Sequence, residues 1–229
     1  MLVMLLLYLS KQPVIAGGVV AFSGWCRRFY VHVFCHLCCC IISLLCCIAL
    51  KGQEIKLIYN IIKGGSVIGK AVATKSIEGA NVKYKMSTDS KTSFIVSIEV
   101  STREESIFSN GMLIKSAFCQ KTNGKEKVNT NVKWDGSGYQ FINNGEAATV
   151  KGKKILANMM MLFFSLPDPA LKVFTDHYQS FIAIEKLGAD EYKTVLPNGT
   201  EKHFFYKNGV CHQLDIKSTF YNITMQLVP

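Results

Sequence analysis

Five Asn-Gly pairs, at residues 110–111, 123–124, 144–145, 198–199 and 208–209, restrict what this chain can fold into more than any other feature. Asn and Gly both tolerate positive φ, so such a pair closes a tight hairpin whose twist suits the flanking strands. The runs between the turns alternate. Ile55, Leu57, Tyr59 and Ile61 share a face ahead of Gly64-Gly65, and Val67, Gly69, Ala71 and Ala73 share one after it. Val82, Tyr84 and Met86 repeat the pattern, as do Val128, Thr130, Val132 and Trp134. Residues 92–108 read as the longest strand, with Phe94, Val96, Ile98 and Val100 opposite Ser97, Glu99 and Ser101. Further strands are expected at 181–186, 192–196, 203–206, 210–216 and 220–228, giving eleven or twelve in all. Hairpins this closely spaced make an antiparallel meander. The expected fold is mainly β, with the meander curved into a barrel or half-barrel, because closure or a cover removes exposed strand edges.

One segment breaks the rhythm. Residues 155–166 read ILANMMMLFFSL, with neither alternation nor turn residues, and Pro167-Asp168-Pro169 follows. Met, Leu and Ala suit a helix, and the run is too short to cross a bilayer. The expectation is one buried apolar helix packed on or into the sheet, with a short helical turn at 171–177.

The first 52 residues are of another kind. They hold Lys11, Arg27, Arg28 and Lys51, no acid, and seven of the nine cysteines. Residues 29–50 read FYVHVFCHLCCCIISLLCCIAL, long enough to span a bilayer as a helix. Arg27 and Arg28 ahead of it place that end in the cytoplasm. The domains expected are therefore a targeting or membrane segment at 1–52 and an exported all-β domain at 53–229. Whether 29–50 is a cleaved signal or a retained anchor stays open. So does the status of residues 1–25, as a poor first membrane segment or an over-extended start. The expected location is the periplasm or cell envelope, single-pass if 29–50 is kept.

Composition excludes some functions. The formal net charge is +10, yet 21 of the 22 basic residues after residue 52 are Lys and only Arg103 is Arg. Base reading in nucleic acid prefers the bidentate Arg fork, and these lysines are spread along strands, so no nucleic-acid partner is expected. Cys35-His36-Leu37-Cys38 has a CxxC spacing but lies inside the apolar run, without a second folded set of ligands. His203 and His212 flank the 208–209 turn. A metal site there needs a third ligand, for which only Asp215 or Cys211 offers itself, and the pair reads as edge histidines. Glu104 and Glu105 are adjacent and so point to opposite faces of a strand. No catalytic, metal or cofactor site is expected, and the chain does not read as an enzyme. Two features remain. Met159, Met160, Phe163 and Phe164 form a soft apolar surface suited to varied ligands, although core filling is the plainer reading. Cys119 and Cys211 could form one disulfide in an exported domain.

Tyr59-Asn60-Ile61, Gly65 and Ile68-Gly69 are followed by Asn110-Gly111, Leu166-Pro167, Pro197-Asn198-Gly199, and Tyr206 with Asn208-Gly209. In this order and spacing they resemble domain of unknown function 6134, and more distantly the 3108 family, over about residues 54–228. The resemblance implies an exported bacterial β-domain of barrel or half-barrel shape and supplies no catalytic residues. Two functions follow as expectations. One is a non-catalytic envelope domain that binds an apolar or lipid-like ligand between sheet and helix, with the membrane as partner through the N-terminal helix. The other is a structural or assembly component acting through protein contacts.

Overall fold

The computed structural model describes residues 54–93 and 97–229. The expected helix at 29–50, the domain boundary at residue 52, and Phe94 and Val96 lie outside the described residues.

The chain first builds eight consecutive strands. They are β1 (Glu54–Lys63), β2 (Ser66–Glu78), β3 (Asn81–Ser93), β4 (Ser97–Ser109), β5 (Met112–Thr122), β6 (Lys125–Trp134), β7 (Gly138–Asn143) and β8 (Glu146–Lys151). A strap, residues 152–184, follows and holds a 3-10 turn (Met159–Phe163), β9 (Val173–Thr175) and β10 (Ser180–Ile182). Then come β11 (Glu185–Lys186), β12 (Glu191–Val195), β13 (Glu201–Lys207), β14 (Val210–Lys217) and β15 (Asn222–Leu227). Thirteen of these form one antiparallel sheet, ordered β11-β12-β13-β14-β15-β1-β2-β3-β4-β5-β6-β7-β8, and β9 pairs with β10 apart from it. The meander is thus two runs of hairpins joined where β15 docks on β1, with Tyr59 opposite Leu227 and Ile61 opposite Met225.

The Asn-Gly turns behave as their chemistry requires. Asn110, Asn123, Asn144 and Asn208 all take positive φ, as do the glycines that follow them. Asn198 does not, and only Gly199 of that pair is left-handed.

Four stretches differ from the sequence reading. No helix of the expected length forms at 155–166; only Met159–Phe163 winds, as a single 3-10 turn. The backbone before it is already bonded to neighbours, since Leu113 donates to the Ile155 carbonyl and Phe174 to that of Ala157. Asn158 bridges in parallel with Phe174. Those carbonyls are therefore taken from any helical ladder. The short helix expected at 171–177 is instead the strand β9. The long strand expected at 92–108 is likewise two, β3 running on to Ser93 and β4 returning from Ser97 opposite it. No Gly, Pro or Asn marks that reversal. The run at 181–186 also divides, between β10 and β11.

The sheet curls. Five strands stand between β13 and β4, a separation of about 29 Å across a flat sheet at the usual strand spacing. Yet Lys202 of β13 is close enough to Glu104 of β4 to shift its titration. Register shifts at Ile61/Ile62, Ile107/Phe108, Gln120/Lys121 and Phe205/Tyr206 add local twist and bend. Gly69 removes an obstacle to the same bend. A Cβ there would meet the Asp89 carbonyl and lie 2.6 Å from Ser90 Cα on β3.

The strap packs into the curl. Its Met159, Met160, Leu162, Phe163, Val173 and Phe174 join Tyr59, Tyr84, Phe108, Leu113, Phe204 and Leu214 of the sheet in one core. Tyrosine hydroxyls fasten it: Tyr206 donates to the Leu162 carbonyl at 2.7 Å. Tyr139 donates to that of Leu113 at 2.7 Å and accepts from the Ile155 amide at 3.2 Å.

Candidate binding site

The inward face of the sheet mixes apolar side chains with Ser and Thr, and charged groups stand on it at the level of Glu104 and Lys202. Along β4 the inward side chains run Phe108, Ser106, Glu104, Thr102, and along β13 they run Tyr206, Phe204, Lys202. Glu104 is paired across the ladder with Met86 and Phe118, and Lys202 with Thr194 and Ile216. The turn between β9 and β10 brings Asp176 and His177 to the same level. Four titratable groups therefore meet inside the curl: Glu104, Asp176, His177 and Lys202.

Asp176 is 2% exposed and is the hub. Its carboxylate accepts from the Ser116 hydroxyl and, at 3.3 Å, from the Asn158 amide. Its carbonyl accepts from Thr130 at 2.9 Å. Asn158 also donates to Ser106 at 2.7 Å. Ser106, Ser116, Thr130 and Asn158 are all fully buried. Buried polar groups are retained where they find partners, and this network ties the strap to β4, β5 and β6.

The charges follow from burial. Burial pushes the Glu104 carboxyl well up, the negative charge of Asp176 and a hydrogen bond to it push the same way, and Lys202 opposes them. Burial also raises Asp176, against the hydrogen bonds from Ser116, Glu104 and Asn158 that hold its anion. Like charges this close cannot both ionise. The pair therefore holds a proton above the ordinary carboxylate range. Burial lowers Lys202, with Glu104 pulling back, and burial and then Lys202 lower His177. His177 lies between rings, stacked on Phe118 at 5.1 Å and on Tyr178 at 4.3 Å. Tyr178 is raised by burial and by Tyr221 of the turn between β14 and β15.

The residues singled out in the sequence fall elsewhere. Met159, Met160 and Phe163 are buried in the core and Phe164 partly so, where it tilts against Tyr84 at 5.6 Å. They fill space between strap and sheet. Cys119 and Cys211 do not pair, and both thiols are free. Five strands separate β5 from β14 in the sheet. Cys211 is fully buried, while the Cys119 thiol lies 3.5 Å from Glu126. His203 is opposite Asp215 in register but bonds Glu201 at 3.1 Å, and Asp215 is taken by Gln213 and Thr224. Among the described residues no three His, Cys, Asp or Glu side chains are grouped to hold a metal. Glu104 and Glu105 do point apart, Glu105 pairing with Lys83 at 3.1 Å and Lys85 at 3.6 Å. A groove of about 430 Å³ crosses β2 to β6 on the outer face, past Val72, Arg103, Ala117, Cys119 and Asn129.

The sequence carried a signal for the cluster. Alternation places Glu104 in phase with Val100 and Phe108, and Lys202 in phase with Phe204 and Tyr206. A charge on the apolar phase of a strand marks a buried charge. No such signal marked Asp176, which lies in a turn.

The sequence profile of the family described as domain of unknown function DUF6134 matches residues 59–228. Among solved structures, the chain is similar to the crystal structure of a β-barrel-like protein of domain of unknown function DUF1849 from Brucella abortus. The TM-score is 0.50 at 10% identity, over 76% of this chain and 95% of that one. A match at that identity speaks for the fold alone. No curated protein matches.

Proposed function

The chain belongs to the DUF6134 family, and we propose that it is an exported, non-catalytic envelope domain that holds an apolar, lipid-like ligand inside its curled, half-barrel sheet. One observation carries this reading. The hydrogen bonds and ring contacts of the strap reach the inward face as far as the level of Glu104 and Phe118. Beyond it the inward side chains are small and uncharged: Gly69 on β2, Thr88 and Ser90 on β3, Val100 and Thr102 on β4, with the Thr88 and Thr102 hydroxyls bonded to each other at 2.6 Å. Ile216 of β14 and Ile223 of β15 pack against the same core. A concave apolar wall with a few convergent polar groups is the usual form of a small-molecule site. In this reading residues 29–50 deliver the domain across the membrane or hold it there. Native mass spectrometry of the full chain extracted from membranes should find co-purifying lipid. A clean protein mass from a gentle extraction would sink the reading. N-terminal sequencing of the same sample separates a cleaved signal from an anchor.

A second reading has its own support. Phe220 is 91% exposed and Tyr221 beside it 41%, at a turn where neither is needed for the core. A docking contact with another envelope protein would explain that pair. Crosslinking in cells should then trap one partner that Phe220→Ser loses. Identical crosslink patterns in the two chains would remove this alternative.

A further inference from the structure

We infer that Lys202, with the Thr194 hydroxyl beside it, binds the acidic head of an amphipathic ligand, a carboxylate or phosphate carried on an apolar chain. The inference rests on the ligand-binding reading above and specifies its chemistry. Lys202 stands on the inward face, directly opposite Thr194 on one side and Ile216 on the other. Among the described residues it makes no ion pair within 4.0 Å, although five Lys or Arg pairs form on the sheet. The carboxyls across the curl are already engaged. Asp176 accepts from Ser116 of β5 and Asn158 of the strap, and neither it nor Glu104 forms an ion pair with Lys202 within 4.0 Å.

Thr194 is the independent observation. It is 1% exposed, and its hydroxyl has no hydrogen-bond partner. A buried donor left unpaired is costly, and native structures seldom keep one without a use. Directly opposed side chains on one face of an antiparallel pair have Cβ atoms about 5 Å apart. An ammonium and a hydroxyl at that spacing can both reach one oxyanion. The apolar surroundings suit a chain attached to it: Ile216 follows Lys202 in the row and Ile223 follows Ile216. His177, stacked on Phe118 and Tyr178, stands at the same level.

The probe is cis-parinaric acid, whose fluorescence rises on entering an apolar site, against its methyl ester, titrated into the full chain held in an amphipathic polymer. The acid should bind at least tenfold tighter than the ester. Lys202→Met should bring the acid to the level of the ester and leave the ester unchanged, while Lys202→Arg keeps the preference. Thr194→Val should weaken the acid severalfold, and urea midpoints of the variants check that each is folded. Equal binding of acid and ester to the parent, or a preference surviving in folded Lys202→Met, overturns the head-group assignment and leaves the ligand reading standing. Binding of neither overturns both. Displacement of the acid by millimolar acetate or inorganic phosphate would show that the head alone is recognised, and would overturn the amphipathic part.

Discussion

Glu104 holds a proton that the unfolded chain would release near the ordinary carboxylate range. Its pKa is raised by burial first and by Asp176 second. The sign follows from linkage. Below the unfolded pKa both states are protonated and nothing is lost. As pH rises toward the folded pKa only the unfolded state gives up the proton, so stability falls across that window. Glu104→Gln fixes the neutral form. Its urea midpoint should match the parent at about pH 4 and exceed it increasingly toward pH 8; a parallel pair of curves would reject the shared proton. Asp176 is the opposite case, because its removal leaves Ser116 and Asn158 buried without an acceptor. Asp176→Ala should cost about 2–4 kcal/mol by chemical denaturation, since each orphaned buried group costs about 1–3 kcal/mol. The cysteines give a third test at this scale. Burial pushes the Cys211 thiol up to about 12, and the thiolate is the reactive species. Iodoacetamide followed by peptide mapping should label Cys119 in the native protein and Cys211 only after denaturation.

At the scale of elements, strands came through from the sequence and the helix did not. Alternation is imposed by the pleat, so β1 and β6 were legible with their faces correct, and β2 from Gly69 onward; Val67, past the register shift at Ile61/Ile62, is exposed instead. The run at 155–166 has helix-forming residues, but its early carbonyls are claimed by Leu113 and Phe174. Helical propensity is a weak prior against such tertiary bonds. The β3–β4 reversal was missed because its residues carry no turn signature. Gly69 shows the converse, a residue whose role is visible only in the fold. Gly69→Val should destabilise the protein by about 1–3 kcal/mol, because the added carbons meet β3 backbone that cannot move independently. A thermal melt unchanged from the parent would contradict the close approach.

For the whole molecule, the telling pairing is β1 with β15. It joins Tyr59 to Leu227, the first and last strands of the described chain. Such a contact closes nearly the whole described chain as a loop, and non-local pairing slows folding. Refolding from urea, followed through the fluorescence of Trp134, should take on the order of milliseconds to seconds or longer. A microsecond phase carrying the full amplitude would mean that the two hairpin runs fold separately. The same closure creates the site, since it brings Lys202 on one run opposite Glu104 on the other.

What the sequence determined by itself was local: an antiparallel meander, its turns, and which face of each strand is buried. Those follow from backbone sterics at Asn-Gly and from the period of two, which act within a few residues. Its alternation also holds Glu104 and Lys202 in phase with apolar residues, a signal that the strand reading did not use and that does not say that they meet. The tertiary structure decided the curl, the strap that winds as one 3-10 turn, the separation of Cys119 from Cys211, and the meeting of Glu104, Asp176, His177 and Lys202. Each of these depends on which backbone and polar groups, far apart in the chain, satisfy one another once the sheet has closed around them.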